Sequence, residues 1–156
     1  MHLARFSKFA IVAVALVAGN QAKSASTNYG TYYDEYTYTS CGASGYCRLN
    51  FSQLSSTNLT RIKKIHCTVI TQTAPIVARL QVAATNGGGQ LGRALPLQLP
   101  PPSAPVSNGD IYTSILVETD WLIGQSRFPY IEVFPVSATP FSIECTLIGE
   151  TVAPIS

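Results

Sequence analysis

Apolar and polar positions alternate in short runs through the middle of the chain. In CRLNFS at residues 47–52, every second residue is apolar, and the same period of two recurs in KIHCTVIT at 64–71 and in IVARLQV at 76–82. A period of two is typical of a β-strand that buries one face and exposes the other. We therefore predict half-buried strands in these three segments.

Four more strands are predicted in the second half of the chain. They are ALPLQL at 94–99, IYTSILVET at 111–119, FPYIEVFPV at 128–136 and PFSIECTLIG at 140–149. Proline has no backbone N–H to donate, so Pro96 favours an edge position for its strand, and Pro129 and Pro135 indicate an edge or a bulge. The glycine-rich stretch at 85–92 predicts a flexible loop before the first of these strands.

The pattern predicts an all-β fold, because no segment beyond the first 25 residues has the apolar period of a convincing helix. Seven or more short strands separated by Gly/Pro turns are typical of two packed antiparallel sheets. We expect a single-domain β-sandwich of jelly-roll or immunoglobulin-like type over residues 41–150, with a β-barrel as the alternative. Residues 26–40 are interpreted as a Tyr/Thr-rich N-terminal segment and 151–156 as a C-terminal tail.

The first 25 residues predict a secretory signal peptide. Arg5 and Lys8 give a basic start, FAIVAVALVA at 9–18 is uncharged and apolar, and small and polar residues follow. That order is typical of a cleaved leader, and the apolar run is shorter than the roughly 20 residues that span a bilayer. We expect export to the periplasm or the extracellular space, with no membrane anchor after cleavage.

Four cysteines follow the predicted leader: Cys41, Cys47, Cys67 and Cys145. An even number of cysteines in an exported chain indicates disulfides and an oxidising compartment. The matching segments IHCTVI and IECTLI place Cys67 and Cys145 on inward faces of their strands, so we favour Cys67–Cys145 together with Cys41–Cys47. The alternative is Cys47–Cys67 together with Cys41–Cys145.

The segments CRLNF, IKKIHC, IGQSRFPYIEV and FSIECTLIG together resemble small exported proteins of Gram-negative bacteria. Those proteins carry a leader, a Cys-x-x-x-Phe strand start, an apolar-x-Cys strand and a closing Cys-x-Ile/Leu-x-Gly strand. The resemblance covers most of residues 41–149, although this chain has SSTN at 55–58 where those proteins have a Pro-Gly turn. It implies a β-sandwich and no particular activity.

The charged residues argue against several classes of function. Without Arg5 and Lys8, lysines and arginines balance the aspartates and glutamates, so no basic stripe predicts a nucleic-acid partner. His66, the one histidine beyond the leader, alternates with Cys67, so their side chains point to opposite faces and do not form a nucleophile pair. We expect an exposed strand histidine, no metal site and no cofactor.

Tyrosine supplies the best candidate contact surface. Residues 28–47 contain six of the eight tyrosines, and strand alternation places Tyr32, Tyr36 and Tyr38 on one face with Asp34. The candidate ligand-binding residues are Tyr32, Tyr33, Tyr36, Tyr38 and the single tryptophan, Trp121. Tyrosine provides a large, rigid contact area with a polar tip.

These features predict a small, exported, non-enzymatic surface-binding or accessory module whose partner is a glycan or another exported protein. One alternative is a structural subunit of a pilus or coat that adds its N-terminal strand to the sheet of a neighbour. A second alternative is a hydrolase that uses His66 or a pair of carboxylates.

Overall fold

The computed structural model describes residues 26–154, and every regular element in that range is a β-strand. The strands are β1 (Thr27–Tyr29), β2 (Tyr32–Ser44), β3 (Cys47–Asn50), β4 (Leu59–Thr71), β5 (Pro75–Ala83), β6 (Gln90–Leu97), β7 (Ile111–Ile123), β8 (Phe128–Pro135) and β9 (Thr139–Val152). The predicted signal peptide at 1–25 lies outside the described residues. Within them, no helix is long and apolar enough to cross a membrane. The all-β prediction is confirmed.

The strands form two antiparallel sheets that pack against each other. The five-stranded sheet has the order β1-β2-β9-β4-β7, and the four-stranded sheet has the order β3-β8-β5-β6. Both sheets are open at their ends, so the described residues form a β-sandwich and not the barrel that was the alternative. The predicted sandwich is confirmed.

The core between the sheets is built from alternate residues of the strands, as the period of two predicted. Ile65, Cys67 and Val69 of β4 are each at most 1 % exposed. Their partners across the ladder are the equally buried Leu147, Cys145 and Ile143 of β9. Removing such side chains from water contributes about 1.5–3 kcal/mol for each one fully buried.

Both disulfides have the pairing that the sequence favours. Cys67–Cys145 joins directly opposite residues of β4 and β9, with Cα atoms 4.1 Å apart. Cys41–Cys47 joins β2 of one sheet to β3 of the other, with Cα atoms 5.7 Å apart. The described residues contain no free cysteine. Two disulfides indicate an oxidising compartment outside the cytoplasm.

The Tyr/Thr-rich segment is an integral part of the sandwich. β2 pairs with β9 from Tyr32 to Cys41 and with β1 on its other side, so the predicted boundary at residue 41 falls inside a strand. Tyrosine and threonine favour strands but carry little hydrophobic contrast, so the sequence pattern did not place this segment in the sandwich. Likewise β9 continues to Val152, so the predicted tail at 151–156 begins one residue before its end.

Two other local predictions need correction. Residues 90–92, assigned to the flexible loop, begin β6. Ile76, expected to face inward, is exposed because the pairing of β5 with β8 shifts register between Pro75 and Val77. A register shift turns the affected side chain to the other face of the sheet.

The prolines lie partly as predicted. Pro96 is in β6, an edge strand of the four-stranded sheet, as its missing N–H requires. β8, however, is an interior strand between β3 and β5. Pro135 lies opposite Pro75 beside the register shift, which is the predicted irregularity. Pro129 is near the start of the strand, where its carbonyl accepts a hydrogen bond from the Phe51 amide at 3.0 Å.

Candidate binding surface

The two faces of β2 differ in character, with the alternation that the sequence predicted. Tyr33, on the inward face, is only 3 % exposed. On the outward face, Tyr32, Tyr36 and Tyr38 are 43 %, 56 % and 49 % exposed. Pairing with β9 fixes the backbone of this strand, so the outward rings project from a rigid sheet.

A fourth tyrosine, missed in the sequence, joins this row. Tyr29 of β1 lies directly opposite Tyr32 and is 73 % exposed. The two strands are joined by a tight turn in which Gly30 has φ +64°, a conformation that glycine adopts without strain. We call the outward side chains of Tyr29, Tyr32, Tyr36 and Tyr38 the tyrosine face. At about 3.3 Å per residue, it extends roughly 20 Å along β2.

A glutamate of the neighbouring strand belongs to the same surface. The Tyr36 hydroxyl donates a hydrogen bond to Glu144 Oε2 at 3.0 Å, and Glu144 is the cross-strand partner of Tyr38. This hydrogen bond raises the pKa of Tyr36 above its usual value, because the nearby carboxylate disfavours the phenolate. The Glu144 carboxylate therefore lies beside both Tyr36 and Tyr38 on the outside of the sheet.

Tyr33 has a structural role beneath this surface. Its hydroxyl donates a hydrogen bond to Glu35 Oε2 at 2.8 Å, and the Ser52 amide donates to Glu35 Oε1 at 2.6 Å. Glu35 is 1 % exposed, and burial raises the pKa of Tyr33 far above its usual value. Because Ser52 follows a strand of the opposite sheet, these contacts tie the two sheets together.

Trp121 is separated from the tyrosine face. It lies on β7, with β9 and β4 between it and β2, and its half-buried ring packs against the core. The Arg93 guanidinium is 4.9 Å from the centre of the ring. The structure thus brings together three of the predicted ligand-binding residues, Tyr32, Tyr36 and Tyr38, and places Tyr33 and Trp121 elsewhere.

Basic residues occupy the other half of the same sheet face, on β4. Lys63 Nζ is 2.9 Å from Asp120 Oδ1 and 3.6 Å from Glu150 Oε1, and Arg61 bridges the same two carboxylates. The hydrogen bond from Lys63 lowers the pKa of Asp120 below its usual value. Arg61 and Lys63 are thus both paired with carboxylates of their own sheet.

His66 is exposed on β4, as the sequence predicted. Its cross-strand partners are Thr146 and Leu116, and the adjacent Cys67 points into the core within its disulfide. No group of three or more metal-ligating side chains occurs among residues 26–154.

A polar cleft opens at the end of the sandwich next to β1. Its volume is about 410 Å³, within the range of small-molecule pockets. Hydroxyl and amide side chains dominate its walls, among them Asn28, Asn58, Thr60 and Tyr33. The cleft lies on the inward side of β1, whereas the tyrosine face lies on the outward side.

Comparison of the chain with protein family models, curated proteins and solved structures finds no significant match in any of the three.

Proposed function

We propose that this protein is an exported, non-enzymatic binding module that acts in the periplasm or outside the cell and contacts its ligand through the tyrosine face. One observation carries this proposal: four tyrosines, each between 43 % and 73 % exposed, share one side of the β1–β2 hairpin. Both disulfides and the leader predicted at residues 1–25 support the exported location.

Tyrosine is suited to this role for physical reasons. Its ring offers a large apolar contact with only two side-chain torsions to immobilise, and its hydroxyl adds a hydrogen bond. The strand that carries Tyr32, Tyr36 and Tyr38 is held by β9 on one side and, at its beginning, by β1 on the other. Because this backbone is already ordered, binding incurs little additional entropy loss.

The two alternative functions gain less support from the geometry. An assembly subunit that inserts a detached N-terminal strand into a neighbour needs that strand unpaired, yet β2 already pairs with β9 along most of its length. For the hydrolase, the cross-strand partners of His66 are a threonine and a leucine, and neither supplies an acid. The acids at the surface are spread over several strands.

The proposal is tested by screening the disulfide-bonded protein on an array of glycans and an array of synthetic peptides. The double variant Tyr36→Ala/Tyr38→Ala should bind its ligand at least about tenfold more weakly, since aromatic anchors commonly contribute more than 1 kcal/mol each. The matched control is Tyr112→Ala, which removes a 41 % exposed tyrosine from β7 in the same sheet. Equal binding by the double variant and the wild type, or no ligand on either array, would overturn the proposal.

A further inference from the structure

We infer that the ligand of the tyrosine face is a basic, extended segment of another protein. This inference rests on the proposed function and specifies the chemistry of the partner. It comes from how charge is distributed over the five-stranded sheet and from the spacing of the outward side chains along β2.

Charge is segregated across the sheet. The three neighbouring strands β1, β2 and β9 contain no lysine, arginine or histidine, whereas β4 alone carries Arg61, Lys63, Lys64 and His66. On the outward side of these three strands, Asp34 lies between Tyr32 and Tyr36, Glu144 lies beside Tyr36 and Tyr38, and Glu150 lies opposite Tyr32. The tyrosine face is therefore both aromatic and acidic.

The acids of this sheet differ in their partners. Glu150, on β9 opposite Tyr32, and Asp120, on β7, are paired with Arg61 and Lys63 at 2.9–3.6 Å. Asp34 and Glu144 form no ion pair within residues 26–154. The negative charge of Asp34 and Glu144 is thus left uncompensated by the described chain, which favours a cationic partner.

Aromatic rings beside carboxylates are suited to lysine and arginine side chains. A cation is attracted to the face of a tyrosine ring, and a carboxylate accepts its hydrogen bonds. Alternate residues of β2 are about 7 Å apart, and alternate side chains of an extended peptide have the same spacing. A segment with a basic residue at every second position therefore matches Tyr32, Asp34, Tyr36 and Tyr38 in register. A neutral glycan would engage these carboxylates only as hydrogen-bond acceptors and would leave their charge uncompensated.

The test uses fluorescence anisotropy with a labelled peptide of alternating lysine and serine. Asp34→Asn and Glu144→Gln should each weaken binding about three- to fivefold, the upper range for an exposed ion pair, and raising the salt concentration should weaken it further. Glutamine at 144 keeps an acceptor for the Tyr36 hydroxyl, so the ring stays in place. The matched control is Glu118→Gln, which removes an exposed acid from β7 in the same sheet and should change binding less than about twofold.

The outcomes separate this inference from the proposed function. Salt-sensitive binding that depends on Asp34, Glu144 and the tyrosines, with no binding of a glutamate–serine peptide, supports both. Peptide binding that Asp34→Asn and Glu144→Gln leave unchanged overturns the inference. A neutral glycan that binds through Tyr36 and Tyr38, while the basic peptide does not bind, overturns the inference and leaves the proposed function standing. No effect of Tyr36→Ala/Tyr38→Ala on any ligand overturns both.

Discussion

Tyr130 and Tyr36 both point away from the core, one from each sheet, and their surroundings differ. Tyr130 is only 2 % exposed, because the Arg48 guanidinium lies 3.5 Å from the centre of its ring. Arg48 is held there by a 2.8 Å hydrogen bond to the Gly88 carbonyl of the β5–β6 loop. Tyr36 is 56 % exposed, and its hydroxyl donates a hydrogen bond to Glu144.

The difference shows that the chain can cover an outward aromatic ring when it supplies a cation and a loop. On the four-stranded sheet, Arg48 covers Tyr130, and Tyr46 stacks on Phe134 with ring centres 5.9 Å apart. On the tyrosine face, the neighbouring strands β1 and β9 contain no basic residue that could do the same. The proposed ligand would supply to these tyrosines what Arg48 supplies to Tyr130.

The largest expected effect concerns the sheet that carries the tyrosine face, because only this sheet has a disulfide between two of its own strands. Replacing Cys67 and Cys145 by alanine should lower the free energy of unfolding by about 4 kcal/mol, since the bridge spans 78 residues. The matched control, alanine at Cys41 and Cys47, removes a bridge across 6 residues and should cost about 2 kcal/mol. Urea unfolding measures both, and equal losses would contradict the prediction.

The next largest effect is a difference in stability between variants on the inward and outward sides of β2. Tyr33→Phe removes a hydrogen bond to the buried Glu35 carboxylate and should lower stability by about 1.5–3 kcal/mol at neutral pH. Tyr36→Phe removes an exposed hydrogen bond and should change stability by less than about 0.5 kcal/mol. Urea unfolding of both variants provides the measurement, and similar losses would show that burial does not distinguish them.

The stability of Tyr33→Phe should also depend on pH differently from that of the wild type in alkaline solution. Burial raises the pKa of Tyr33 in the folded state, so its contribution is complete below the unfolded value of 10.0 and is lost as the pH rises above it. Unfolding titrations above pH 10 should therefore show a shallower loss of stability in Tyr33→Phe than in the wild type. Parallel curves of unfolding free energy against pH for the two proteins would contradict a raised pKa of Tyr33 in the folded state.

A smaller effect should follow from uncovering Tyr130. Arg48→Ala removes the stacked guanidinium and its hydrogen bond to Gly88, and we expect a loss of about 1–2 kcal/mol. Tyr130 should also become reactive to nitration, as detected by mass spectrometry of the digested protein. If Tyr130 stays unreactive in this variant, then Arg48 is not the group that covers it.

The smallest effect is on reactivity alone. Nitration of the wild type should modify Tyr29, Tyr32, Tyr36 and Tyr38 with little change in stability, and spare Tyr33, because only exposed rings are accessible. Glu144→Gln should speed the nitration of Tyr36, since losing the carboxylate lowers the pKa of this tyrosine and increases its reactive phenolate form. An unchanged rate would show that the hydrogen bond does not control this tyrosine.

Much of the fold was accessible from the sequence, because alternation is a property of a single strand. The inward Ile-Cys-Val and Ile-Cys-Leu triplets of β4 and β9 predicted the buried faces, and the cysteines among them predicted the disulfide. The segment that forms the first two strands was placed outside the sandwich, because tyrosine and threonine give weak hydrophobic contrast. Their alternation nevertheless placed Tyr32, Tyr36 and Tyr38 correctly on one face.

By itself, then, the sequence determined the side of the strand to which the β2 side chains from Tyr32 to Tyr38 point, because the period of two is local backbone geometry. Only the tertiary structure decided which side chains become neighbours across strands. It placed Tyr29 opposite Tyr32, Glu144 beside Tyr36, and Trp121 three strands away on β7. Strand order depends on pairing between residues as much as about 120 positions apart, as between Tyr32 and Glu150, and no local pattern specifies it.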